Sequence, residues 1–222
     1  MMDFLPVLFV VGIVAFVIFG IVGSIVAEKK RRETLAKFAG DLGLEYRETL
    51  SAQDASHFQQ FNLANKGRGR KATNAVTADS GELRMVIFDY KYTTGSGKNS
   101  TTHRQSVVMA FSTGSLQLPH FTISPENFLS KISDFFGFKD IDFDDDKAFS
   151  DAFLLHGENE AAVRSFFTPE RRKRFFDFRD VSIEARANTF IFYVPRKRSK
   201  ADEIRTLMER AFAIYTLLST EG

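Results

Sequence analysis

Between Phe4 and Ala27 the chain runs for 24 residues without a charge, FLPVLFVVGIVAFVIFGIVGSIVA. As a helix rising about 1.5 Å per residue, such a run is long enough for a hydrocarbon core of roughly 30 Å. It lacks the polar stripe of a helix that packs one face on a globular core. Glu28-Lys29-Lys30-Arg31-Arg32 follows at once, whereas only Met1, Met2 and Asp3 precede it. These features predict one N-terminal transmembrane helix, a single-pass anchor over residues 1–27. The basic excess on its carboxyl side places residues 28–222 in the cytoplasm, N-out/C-in. A cleaved signal peptide fits less well. No Lys or Arg leads the run, the run is too long, and Ile25-Val26-Ala27 is a poor cleavage site. Gly20 and Ser24 share a small-xxx-small spacing that would let two such helices pack closely, so a homodimer through them is compatible with the sequence.

The remaining composition is that of a globular protein, with 44% apolar and 26% charged residues. The absence of Cys excludes a disulfide framework, a thiol nucleophile and thiolate metal ligation. Phe occurs 25 times and Trp never, so the core is expected to be built on phenyl rings.

Leu35, Phe38, Ala39 and Leu42 continue a helical stripe to Gly43, predicting a basic amphipathic helix over residues 28–43. Leu44–Glu48 reads as a short strand and Ala55–Phe61 as a short helix. Arg70–Ala78 and Leu83–Tyr92 flank the turn signal Asp79-Ser80-Gly81, and Arg104–Thr113 is a further strand. Phe121–Ile123 adds a short one. Ser124-Pro125-Glu126 has the form of a helix start before Phe128, Leu129, Ile132, Phe135 and Phe136, and Thr168-Pro169-Glu170 repeats it. Val181–Arg186 and Thr189–Val194 form a hairpin, and Ile204, Leu207, Met208, Ala211, Phe212, Tyr215 and Leu218 mark a final amphipathic helix. Without βαβ alternation the predicted class is α+β, antiparallel sheets with flanking amphipathic helices behind the transmembrane helix. Residues 44–139 and 140–222 read as two α+β halves, or residues 28–222 as one continuous domain.

Phe88-Asp89-Tyr90-Lys91-Tyr92-Thr93-Thr94-Gly95-Ser96-Gly97-Lys98-Asn99 with Thr102-His103-Arg104-Gln105 resembles a hallmark of uncharacterised bacterial membrane-anchored proteins. Lys139-Asp140-Ile141-Asp142-Phe143 and Asn159-Glu160-Ala161-Ala162-Val163-Arg164-Ser165-Phe166-Phe167-Thr168-Pro169 resemble the same family, a domain of unknown function. The resemblance spans roughly residues 35–218. It implies a protein of the bacterial inner (cytoplasmic) membrane and supplies no catalytic residues.

Gly95, Ser96, Gly97, Lys98, Asn99 and His103 sit in a loop, 93–103, with the makings of an anion nest or a partner contact. It is not a Walker loop. Tyr92 and Asn99 stand where Gly and Ser or Thr are required, and a strand follows instead of a helix. Asp140-Ile141-Asp142-Phe143-Asp144-Asp145-Asp146 spaces its acids like a calcium loop, but Asp145 replaces the obligatory Gly, so it reads as an acidic edge and helix cap. No metal site, cofactor or catalytic residue is expected. The basic residues gather at Lys29, Lys30, Arg31 and Arg32, at Lys66, Arg68, Arg70 and Lys71, at 171–174, and at Arg196, Lys197, Arg198 and Lys200. The first cluster is expected at the surface of the lipid bilayer, against anionic head groups. The aromatic residues fall on core faces, which disfavours nucleic acid. These readings predict a membrane-tethered cytoplasmic binding or assembly module with a protein partner of unknown identity and no catalysis. The alternative is an enzyme acting on a phosphorylated or lipid-like substrate, with Lys98 binding the anion and His103 as acid or base.

Overall fold

Met85-Val86-Ile87-Phe88 and Val107-Val108-Met109-Ala110-Phe111 carry apolar side chains on both faces, and strands of that kind are stable only where both faces are covered. In the computed structural model, which describes residues 4–114, 116–128 and 140–220, they lie in β3 (Leu83–Thr94) and β4 (Thr101–Ser112) at the centre of one sheet. The register runs without a break from Leu83 opposite Ser112 to Thr94 opposite Thr101. The other strands are β1 (Glu45–Arg47), β2 (Arg68–Asp79), β5 (Leu118–Pro125), β6 (Phe153–Gly157), β7 (Ser182–Ala187) and β8 (Thr189–Tyr193). All pair antiparallel in the order β1-β2-β3-β4-β8-β7-β5-β6.

Two apolar layers cover this sheet. On one face Ile87, Val108, Ala110, Phe190 and Phe192 meet Leu35 and Phe38 of helix α1 (Phe4–Asp41) and Ile204, Ala211, Ile214 and Leu218 of the last helix, Ile204–Ser219. The Phe149, Phe153, Phe167 and Phe175 rings join the same layer, with Phe167 stacked on Phe175 at 4.9 Å. On the other face Phe58, Phe61 and Leu63, from helices α2 (Ala52–Phe58) and α3 (Asn62–Asn65) and their junction, cover Val86, Phe88, Tyr90, Met109 and Tyr193. Among the described residues, helices α4 (Lys147–Ala152), α5 (Glu160–Phe166) and α6 (Pro169–Phe175) precede α7 (Ile204–Ser219). Thr168 caps α6 as its sequence signal predicts, its hydroxyl accepting from the Arg171 amide at 3.3 Å.

The fold corrects the sequence expectation in three places. First, among the described residues no helix is long and apolar enough to cross a membrane. That overturns the transmembrane helix and, with it, the single-pass topology. The uncharged run is the front part of one 38-residue helix that continues through Glu28–Arg32 to Asp41 and docks on the sheet through Leu35 and Ala39. The charge-free run and the basic stretch after it thus form one continuous helix. Second, the antiparallel strands form one sheet, because β8 pairs with β4 from Val107 opposite Tyr193 to Phe111 opposite Thr189. Third, Ser124 and Pro125 end strand β5 instead of starting a helix. Pro125 pairs with Phe153, and among the described residues a 3-10 turn, Glu126–Phe128, follows. Apart from Phe128, the helical stripe expected to Phe136 lies outside the described residues.

Candidate functional site

Directly after the apolar run Met85–Phe88, strand β3 carries its one acid, Asp89, which is 6% exposed. A carboxylate so placed is tolerated only with charged and hydrogen-bonding partners. Arg31 of α1 supplies two, with Nε and Nη2 donating to the two carboxylate oxygens at 2.7 Å each. Arg198, in the segment after β8, donates from Nη2 at 2.8 Å. Asn74 Nδ2 donates at 2.9 Å and the Ser106 hydroxyl at 3.2 Å. Asn74 reaches Asp89 because β2 slips register between Thr73 and Val76, where Asn74 takes φ +57°. Asn tolerates that left-handed conformation better than most residues. The Tyr46 hydroxyl then donates to Asn74 Oδ1 at 2.9 Å and fixes the amide.

Arg198 also donates from Nη1 and Nη2 to both Glu28 oxygens at 2.6 Å, and Arg32 donates to Glu48 at 3.0 Å. The segment bearing Arg198 is tied to β4, since the Arg196 amide donates to Gln105 Oε1 at 3.1 Å and the Ser199 amide to Ser106 Oγ at 3.0 Å. Burial pushes the Asp89 carboxyl up, but the hydrogen bonds and charges of Arg31 and Arg198 outweigh it, and its pKa lies below the ordinary value. The hydrogen bond from Arg198 likewise holds Glu28 below the usual carboxylate range.

These contacts floor and wall a cleft of about 300 Å³ between α1 and the sheet. Ser24 and Glu28 stand on its helix side, and Lys71, Lys91 and Arg104 on its sheet side. The three cations are direct cross-strand neighbours, Lys71 opposite Lys91 and Lys91 opposite Arg104. Among the described residues none of them forms an ion pair or a hydrogen bond through its side chain. Every carboxylate of the cleft, by contrast, is held by an arginine.

The residues singled out from the sequence are distributed differently. Strands β3 and β4 run on past the predicted loop ends, leaving Gly95–Ser100 as the connection, with a 3-10 turn at Gly97–Asn99. Gly95 has φ +73°, and a Cβ there would stand 2.3 Å from the Asn99 carbonyl oxygen, so this position admits only glycine. Ser96, Lys98 and Asn99 are exposed, whereas His103 is buried. Its ring stacks on Tyr92 at 4.8 Å and its Nε2 hydrogen-bonds the Thr94 hydroxyl at 2.8 Å. It belongs to the face opposite Lys91 and Arg104, so the turn and the cleft are not brought together. Of the first basic cluster, Lys29 and Lys30 are exposed, while Arg31 and Arg32 turn to Asp89 and Glu48. Ser24 lines the cleft, and the surroundings of Gly20 lie outside the described residues.

The acidic run is structural. Asp140 accepts from the Leu155 amide at 2.8 Å, Asp146 caps α4, and Asp145 and Asp146 clamp the buried Arg172 at 2.7 and 2.9 Å. Sequence reasoning missed Asp89, Lys91 and Arg104. A lone acid directly after the apolar run Met85–Phe88 was a legible signal for the first. Nothing short of strand register could align the other two with Lys71.

No protein-family model and no curated protein matches the sequence. Among solved structures, the fold is similar to that of the mycobacterial trehalose monomycolate transport factor A, TtfA. The TM-score is 0.53 at 10% identity, over 85% of this chain and 93% of that one. At that identity the likeness is one of fold.

Proposed function

We propose that this protein is a non-catalytic, lipid-related binding module that holds an amphiphile at the junction of helix α1 and the sheet. The observation that carries this reading is the continuity of two unlike surfaces. The cleft, walled by Ser24, Glu28, Lys71, Lys91 and Arg104, opens beside a stretch of α1 whose apolar side chains lie bare. Phe16 and Phe19 are each 79% exposed, and Val22, Ile25 and Val26 are exposed with them. So contiguous an apolar surface is rarely left to water and marks a contact with lipid or another apolar partner. An acyl chain along the helix would set a polar head at the cleft. The fold shared with a transport factor supports cargo binding over catalysis. The enzyme reading gains nothing from the geometry, because its acid/base residue, His103, is packed into the sheet on Tyr92.

Co-sedimentation of the full chain with phospholipid vesicles tests this reading. The wild type should bind, and Phe16→Ser/Phe19→Ser should weaken binding at least tenfold, since burying one phenyl ring contributes about 1.5–3 kcal/mol. Equal binding by both proteins would refute the role of the helix.

A further inference from the structure

Three cations side by side across β2, β3 and β4 oppose the stability of the sheet, because like charges directly opposite repel. Such a row is ordinarily relieved by interleaved carboxylates. Here Asp89 already accepts from Arg31, Arg198, Asn74 and Ser106, Glu28 is engaged by Arg198, and Glu48 by Arg32. Among the described residues the cleft's other charges are paired, while this row, apart from the longer-range pull of Glu28 on Arg104, has no ion pair or side-chain hydrogen bond at the edge of a cavity of about 300 Å³.

We infer that Lys71, Lys91 and Arg104 form a binding site for a phosphate-class anion, a tetrahedral oxyanion carried free or as the head group of an amphiphile. The geometry suits that class. Two ammonium groups and a guanidinium on adjacent strands line one cleft and offer charge-assisted donors to a group with three or more acceptor oxygens, and the guanidinium can engage two of them at once. The Thr73 and Asn74 side chains line the same cleft and extend the polar wall beyond the cations. A phosphate-class group carries more charge and more acceptor oxygens than a carboxylate, so one such group suits a row of three cations better. The site deepens the amphiphile reading by naming the chemistry of the head group. It stands independently of the apolar helix, which bears only on whether the anion arrives on a lipid.

Two arms separate those sources. In the first, inorganic phosphate is titrated into the full-length protein at constant ionic strength, with chloride as the control, and Tm is read. Phosphate should raise Tm in the wild type and in Phe16→Ser/Phe19→Ser, and should not do so in Lys91→Gln or Arg104→Gln. In the second, vesicles of phosphatidic acid in phosphatidylcholine are compared with phosphatidylcholine alone. The wild type should prefer the anionic vesicles at least tenfold, and Lys91→Gln should erase the preference while keeping the residual binding to neutral vesicles. Lys91 is half-buried and unpaired, so circular dichroism should show Lys91→Gln folded. A response in the first arm alone assigns the site to a soluble anion and counts against the amphiphile reading only. A preference in the second alone assigns it to a lipid head group. If neither arm depends on Lys91 and Arg104, the site does not exist.

Discussion

Glu184 is a fully buried carboxyl that sequence alternation along β7 places on a solvent face. Its Oε2 accepts from the Asn62 amide at 2.7 Å, and its Oε1 from the Leu63 amide at 3.2 Å and the Tyr193 hydroxyl at 3.0 Å. It therefore caps the amino-terminal end of α3 from a distant strand. Burial pushes its pKa up to about 7, against the lowering effect of those hydrogen bonds. With the folded value above the unfolded one, the native state retains a proton that the unfolded chain has already released. Stability accordingly falls as pH rises from about 4.5 to about 7 and is level above that, a change on the order of 3 kcal/mol. Chemical denaturation at pH 5, 6, 7 and 8 should show this decline in the wild type and a flatter profile in Glu184→Gln. Parallel profiles would assign the pH dependence to other groups. The residue was in plain view in the sequence, but its burial depends on a helix more than a hundred positions away.

At the scale of elements, the attachment of α1 is the feature most open to test. Leu35 and Ala39 contribute apolar contact, and the Arg31–Asp89–Arg198–Glu28 network contributes the charged one. Removing one partner of a buried ion pair leaves an uncompensated charge and costs about 3–5 kcal/mol. Asp89→Ala should lose stability of that order, and hydrogen exchange should accelerate over residues 28–41 more than in β7 and β8. Unchanged exchange in that segment would mean that apolar packing alone holds the helix. Because Asp89 is held below its ordinary pKa, its contribution is intact above about pH 4 and is lost as pH falls through the folded value. Much of the element pattern was legible locally. The Thr168-Pro169 cap, the β7–β8 hairpin and the existence of α7 are set by neighbouring residues, although α7 buries Ile214 and Leu217, outside the expected stripe, and leaves Phe212 exposed. At Ser124-Pro125 pairing of β5 with β6 places both residues in a strand, where the local signal had put a helix cap.

For the whole molecule, the decisive contact is the seam between β4 and β8. It places strands from both ends of the sequence in one sheet and lets apolar layers form on both faces. Such an arrangement predicts a single cooperative unfolding transition, with far-ultraviolet dichroism and tyrosine fluorescence coincident in urea. Two separated transitions would show that the segments before and after residue 140 unfold independently. The sequence alone determined the local elements, the phenyl-rich core and the exclusion of thiol chemistry, because each depends on residue type or on spacing within a few turns of chain. Only the tertiary structure decided that the uncharged run belongs to a helix docked on the sheet, and that Lys71, Lys91 and Arg104 stand in a row. Both follow from long-range pairing, in which strand register brings together side chains that no local periodicity connects.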